Sequence, residues 1–62
     1  MPVLVDVKMG RAIIAHIHNE LGKSPIDDWK GIIASWSDVL VQLETIRGLK
    51  GSVRDVRKYA SV

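Results

Sequence analysis

The stretch Ser24–Arg47, SPIDDWKGIIASWSDVLVQLETIR, carries the most regular pattern in this 62-residue chain. Its large apolar residues recur at intervals of three, four and seven, which is the spacing of one face of an α-helix. These residues are Ile26, Trp29, Ile32, Ile33, Trp36, Val39, Leu40, Leu43 and Ile46. The pattern predicts one long amphipathic helix over about residues 25–47, with both tryptophans on its apolar face.

Residues at both ends of this stretch are typical of helix boundaries. Ser24 is a favoured N-cap residue, and Pro25 suits the first helical position because its missing N–H needs no partner there. Asp27 and Asp28 would place negative charge beside the positive end of the helix dipole. Gly48 is a natural stop at the other end.

A second, shorter helix is predicted before this stretch, over about residues 10–21. Its apolar face would consist of Ile13, Ile14, Ile17 and Leu21, and Gly22 would end it. The link to the long helix is only a few residues, so the two helices should be antiparallel neighbours.

The first eight residues show a different pattern. Val3, Val5 and Val7 alternate with Leu4, Asp6 and Lys8, and alternation of this kind with β-branched residues favours a strand. A lone strand cannot satisfy its backbone groups, and no second strand pattern is present in the sequence. Residues 1–8 are therefore predicted to pair with a second copy as a strand, or to lie on a helix as an extended arm.

The C-terminal part, residues 48–62, is predicted to be a basic tail. Gly48-Leu49-Lys50-Gly51 reads as a turn, and Ser52 is suited to cap a short helix over about residues 53–60. Arg47–Val62 holds five Lys or Arg and one Asp, whereas the preceding part has a net charge of −2. Basic residues here could contact nucleic acid or an acidic protein. The candidates are Arg47, Lys50, Arg54, Arg57 and Lys58. A solvated helix face is the alternative interpretation of this charge.

The lengths of the predicted helices do not match. At 1.5 Å per residue the long helix would span roughly 33 Å and the short one roughly 18 Å, so one cannot cover the other. We therefore expect a single domain, mainly α, that is completed by self-association, most simply as a dimer. The predicted interface is Trp29, Ile32, Ile33, Trp36, Val39, Leu40, Leu43 and Ile46.

Chemistry-bearing motifs are scarce in the sequence. There is no cysteine, no glycine-rich phosphate loop, and no histidine at helical spacing from Ser35 or Ser37. His16 and His18 would diverge by roughly 200° on a helix, so they could not share a metal ion. No apolar run approaches the roughly 20 residues of a membrane span. We expect a cytoplasmic, non-enzymatic protein without cofactor or metal that acts through protein contacts.

Two resemblances support DNA binding as the alternative. From Pro2 to Leu43 the order of predicted elements resembles ribbon-helix-helix dimers, in which paired strands enter the major groove. That resemblance implies a base-reading face of Leu4, Asp6 and Lys8 and phosphate contacts from Lys23 and Ser24. The aspartate fits poorly, because it would face the negative field of the phosphates.

The second resemblance covers Leu40–Tyr59, which is similar to a DNA-binding helix-turn-helix. It implies that Arg54, Arg57 and Lys58 lie on the reading helix. The family usually has a small residue near the turn in the first helix, where this chain has Glu44 or Arg47.

Overall fold

The computed structural model describes residues 6–61, and this part of the chain is mainly helical. The helices are α1 (Val7–Gly22), α2 (Ile26–Ser35), α3 (Ser37–Glu44) and α4 (Lys50–Lys58). A turn of 3-10 helix, Tyr59–Ser61, follows α4 directly. Between residues 6 and 61 there is no strand.

Helix α1 begins three residues earlier than predicted, because Asp6 caps it. The Asp6 backbone is extended, and its carboxylate accepts a hydrogen bond of 2.7 Å from the backbone N–H of Met9. This bond satisfies one of the N–H groups that a helix start leaves unpaired. The predicted strand or arm is therefore wrong at Val7 and Lys8, which are helical. Its residues 1–5 lie outside the described part of the chain.

The predicted single helix over residues 25–47 is also wrong, because the chain breaks at Trp36. Trp36 has φ −97° and ψ 3°, and its N–H donates to the carbonyl of Ile33, three residues back, at 3.1 Å. Just before the break, the Ser35 hydroxyl donates to the Ile32 carbonyl at 2.6 Å. Such back-bonding by serine competes with the helical ladder and often bends helices. Helix α3 then ends at Glu44.

The N-cap residue of α2 differs from the predicted one. Pro25, not Ser24, occupies the N-cap position of α2, and it provides no side-chain hydrogen bond. The Ser24 hydroxyl instead donates to the Glu20 carbonyl at 2.9 Å. The Ser24 carbonyl accepts from the indole Nε1–H of Trp29 at 3.1 Å. Ser24 therefore ties the end of α1 to the first turns of α2.

The core is formed within one chain from α1, both pieces of the broken helix and the C-terminal part. Its buried side chains are Ile14, Ile17, Leu21, Ile33, Leu40, Leu43, Leu49, Val53 and Val56. Helix α4 packs on α1 and α3, and the C-terminal turn packs on α2. The break at Trp36 thus lets the tail cover both halves of a segment that would otherwise be a rod.

The turn before α4 supplies part of this core. Leu49, which the sequence pattern assigned to an ordinary turn, is fully buried. Gly48, directly before it, has φ +94°, a backbone conformation that glycine adopts without strain. Helix α4 begins at Lys50, so Ser52 lies inside the helix and is not its cap. A helix is therefore present where one was predicted over residues 53–60, but it spans Lys50–Lys58.

Candidate interaction surfaces

The predicted self-association interface does not form one open face in the structure. Ile33, Leu40 and Leu43 are buried in the core of their own chain. The other five side chains are half-buried and pack against that core. They are Trp29, Ile32, Trp36, Val39 and Ile46. The surface assigned to a partner is therefore largely covered by the same chain.

Trp29 is covered by the C-terminal turn. Its ring meets the Tyr59 ring edge-to-face, with 5.3 Å between centroids and an angle of 85° between planes. Tyr59 makes a similar contact with His18, at 5.6 Å. Edge-to-face pairs at these distances are favourable for aromatic rings. Tyr59 therefore closes the tail onto both α1 and α2.

Trp36 lies on the other flank of α1. Its ring meets His16 at 5.7 Å with an angle of 70° between planes. His16 also lies 3.6 Å from the Glu20 carboxylate and is largely exposed. The two histidines thus point in different directions from α1, as their spacing predicted, with His16 against Trp36 and His18 against Tyr59. Among residues 6–61 no group of three His, Cys, Asp or Glu side chains is arranged to hold a metal ion.

An apolar groove of about 250 Å³ lies between the broken helix and the C-terminal part. Ile33, Ala34, Leu40 and Ala60 provide its apolar lining. Lys30, Ser37 and Arg57 provide its polar lining, and Arg57 also lies 3.6 Å from Glu44 across the α3–α4 contact. This groove is apolar inside and cationic at two positions of its lining.

Two exposed aliphatic residues lie on α2 and α3. Ile26 is 53% exposed and Val41 is 54% exposed, and they belong to the three large apolar side chains that are open to solvent in residues 6–61. We call the set Ile26, Lys30, Ala34, Ser37 and Val41 the outer stripe. Ile26, Lys30 and Ala34 recur every four residues on α2, and Ser37 and Val41 are four residues apart on α3, so each group lies on one side of its own helix.

Two surface hollows connect the members of the outer stripe from Ile26 to Ser37, across the break. Ile26 and Lys30 line one hollow together with Asp27 and Tyr59. Lys30, Ala34 and Ser37 line the apolar groove. Sequence reasoning placed Ile26 on the apolar face but missed Val41, whose four-residue spacing from Ser37 was the available signal.

The basic residues of the C-terminal part are all exposed, but they do not form one cluster. Lys50, Arg54 and Lys58 follow at intervals of four and form a cationic ridge along α4. Lys58 lies 3.8 Å from Asp55. Arg57 is turned toward Glu44 of α3, and Arg47 lies in the turn before α4. Within the described residues, Lys50 and Arg54 take part in no ion pair.

The ribbon-helix-helix resemblance fails in the described part of its strand. Asp6 is a helix cap and Lys8 is the second residue of α1, while Leu4 lies outside the described residues. Ser24 is engaged with Glu20, although Lys23 is exposed. The order of elements in the helix-turn-helix resemblance is present in the structure: α3 is followed by a five-residue turn and α4. The two helices are in contact.

Comparison with known protein families, curated proteins and solved structures gave no match. Within residues 6–61, none of the helices has both the length and the apolar character that crossing a bilayer requires.

Proposed function

We propose that this protein is a non-enzymatic helical module that acts through protein–protein contacts, first of all with a second copy of itself, in an assembly or adaptor role. The outer stripe is the observation that supports this proposal. It contains Ile26 and Val41, each more than half exposed, and three of its residues line an apolar groove. This proposal includes a cytoplasmic location, in keeping with a sequence that has no cysteine.

Apolar area on this surface favours association. Removing apolar surface from water contributes about 25 cal/mol per Å², so covering two exposed aliphatic side chains and a groove stabilises a complex. Lys30 is the single charged member of the outer stripe, and Asp27 and Arg57 line the hollows beside it. A partner that covers these hollows would have to pair these three charged side chains or leave them in water.

Sedimentation velocity over a concentration series tests this proposal. The wild-type chain should show a mass that rises with concentration toward that of a dimer. Val41→Asp should shift the equilibrium to monomer, because it places a carboxylate in the apolar contact. Gln42→Asp adds the same charge at the next, exposed position and is the matched control. A wild-type chain that stays monomeric at every concentration would contradict self-association.

Duplex DNA binding through α4 is the second candidate, and the cationic ridge favours it. Lys50, Arg54 and Lys58 recur once per helical turn on the exposed side of a helix that follows a helix and a turn. Three phosphate contacts would give a slope of about −3 for log K against log salt concentration.

Fluorescence anisotropy with labelled duplex DNA measures that slope. Replacing Lys50, Arg54 and Lys58 together with Ala should abolish most of the affinity and flatten the slope. Replacing Lys8 and Lys23 with Ala removes exposed charges from other parts of the surface and serves as the control. Equal loss in both variants, or no binding at low salt, would reject α4 as a DNA-binding element.

A further inference from the structure

We infer that the apolar groove is a docking site for an acidic segment of another protein, which places one large apolar side chain beside Lys30 and Arg57. This inference rests on the proposed role in protein–protein contacts and names the chemistry of the partner, but it does not require self-association. The groove lies where α2, α3, α4 and the C-terminal turn meet, so four elements of one chain form its lining.

The lining combines buried large residues with short side chains. Ile33 and Leu40 are almost fully buried, whereas Ala34 and Ser37 are exposed. The short side chains of Ala34, Ser37 and Ala60 leave a space of about 250 Å³ open over the two buried residues. Pockets that enclose a small molecule usually measure roughly 300–1,000 Å³. This groove is better matched to a single large side chain of a protein partner, which is the usual anchor of an interface.

The charged part of the lining is entirely cationic. Lys30 of α2 and Arg57 of α4 line the groove, and no carboxylate of residues 6–61 does so. Two other hollows differ in this respect, because one contains Asp27 and the other, between α1 and α4, contains Asp55. Charge complementarity steers association and rejects partners of like charge. The groove therefore favours a partner that carries Asp or Glu close to its apolar side chain.

Both cations can reach such a partner. Lys30 is exposed and takes part in no ion pair within residues 6–61. The Arg57 side chain is 42% exposed and lies 3.6 Å from the Glu44 carboxylate. A guanidinium carries several N–H donors, so Arg57 can bind a second carboxylate while it stays beside Glu44.

Selection from a random-peptide library displayed on phage tests this inference, with the full chain as bait. Enriched peptides should contain a large aliphatic or aromatic residue with Asp or Glu close to it. Lys30→Glu combined with Arg57→Glu should reverse the preference, so that Lys or Arg replaces the acidic residues. Lys50→Glu combined with Arg54→Glu makes the same change of net charge on the cationic ridge and should still select acidic peptides.

Fluorescence anisotropy with the most enriched peptide measures the two parts of the contact separately. Replacing the apolar residue of the peptide with Ala should weaken binding by at least about tenfold, because buried anchors carry most of the affinity. Lys30→Glu and Arg57→Glu should each weaken binding roughly three- to tenfold, and added salt should weaken binding to the wild type. Circular dichroism melting shows whether each variant is folded. If the double charge reversal unfolds the chain, Lys30→Gln combined with Arg57→Gln replaces it and should lose the acidic preference.

Three results would overturn this inference: no enrichment over an empty support, enriched peptides without acidic residues, or an unchanged acidic preference in the folded double variant. Sedimentation velocity of the wild type tests self-association independently. An acidic preference in a chain that stays monomeric supports docking in the groove and rejects self-association. A dimer that selects no acidic peptide rejects docking and leaves self-association standing.

Discussion

Leu49 packs its side chain directly onto the backbone of α1 at Gly10. A Cβ atom placed on Gly10 would overlap the Cδ1 atom of Leu49 and lie 3.1 Å from the Cδ2 atom of Leu43. Both leucines are fully buried, so neither side chain has open space into which to move. The corner between α3 and α4 therefore rests on a position of α1 that has no side chain.

Gly10→Ala should be less stable than Gly31→Ala, although both replace a helical glycine. Alanine gains about 1 kcal/mol of helix propensity at either site. At Gly31 the new methyl group meets no atom within 4 Å, whereas at Gly10 it would overpack the core. Overpacking typically costs about 1–3 kcal/mol, so the two variants should differ by about that amount in urea unfolding. Equal midpoints would show that the leucines adjust freely.

Leu49→Ala should destabilise the domain by about 2–4 kcal/mol, because it opens a cavity in the core. A domain of this size has a total stability of roughly 3–9 kcal/mol, so the variant should lose a large share of it and melt at a clearly lower temperature. Met9→Ala removes an apolar side chain that is 42% exposed and should change stability by less than about 1 kcal/mol. Thermal melting followed by circular dichroism measures both. A Leu49→Ala variant as stable as Met9→Ala would place Leu49 outside the core.

Gly48→Ala should lower stability by about 1–2 kcal/mol, because φ at Gly48 is +94° and a Cβ atom is strained there. Gly51→Ala is the control: no atom lies within 4 Å of the added methyl group, and φ at Gly51 is not positive. That variant should be neutral or slightly more stable than the wild type. If the two variants unfold at the same urea concentration, the turn before α4 has a different conformation in solution.

Trp29→Phe should destabilise the protein more than Trp36→Phe. Trp29 donates its indole N–H to the Ser24 carbonyl at 3.1 Å, whereas no hydrogen bond within residues 6–61 involves the indole N–H of Trp36. Loss of one such bond costs about 0.5–1.5 kcal/mol, and both variants lose similar apolar area. Chemical unfolding monitored by circular dichroism gives the difference. A larger loss of unfolding free energy in Trp36→Phe than in Trp29→Phe would contradict this prediction.

Local patterns in the sequence predicted the helical class and most core positions. Ile14, Ile17 and Leu21 of α1, and Val53 and Val56 of α4, are buried as their spacing predicted. Apolar spacing predicts the burial of these residues because it shows which side of a single helix is apolar, and that side packs on the core.

The errors came from places where tertiary contacts decide the outcome. The alternation around Val7 favoured a strand, yet the capping carboxylate of Asp6 starts a helix there. The apolar pattern continues across Trp36, so it gave no sign of the break, although the serines on either side were a cue. Leu49 lies in a predicted turn, outside any periodic apolar pattern, so no local pattern indicated its contact with Gly10 or its burial.

These errors also explain why the residues of the predicted interface are largely covered by their own chain. A continuous helix over residues 25–47 would expose more apolar surface than α1 covers, and the sequence assigned that excess to a partner. The break instead lets Ile33, Leu40 and Leu43 face α4 and the C-terminal turn. The large apolar residues of α2 and α3 that remain exposed are Ile26 and Val41.

The contact between Trp29 and Tyr59 has a consequence during translation. Tyr59 follows Trp29 by 30 residues, so the ring that covers Trp29 is added only after α1, α2 and α3 have been synthesised. The contact between the C-terminal turn and α2 therefore cannot form until nearly all of the described residues have been made.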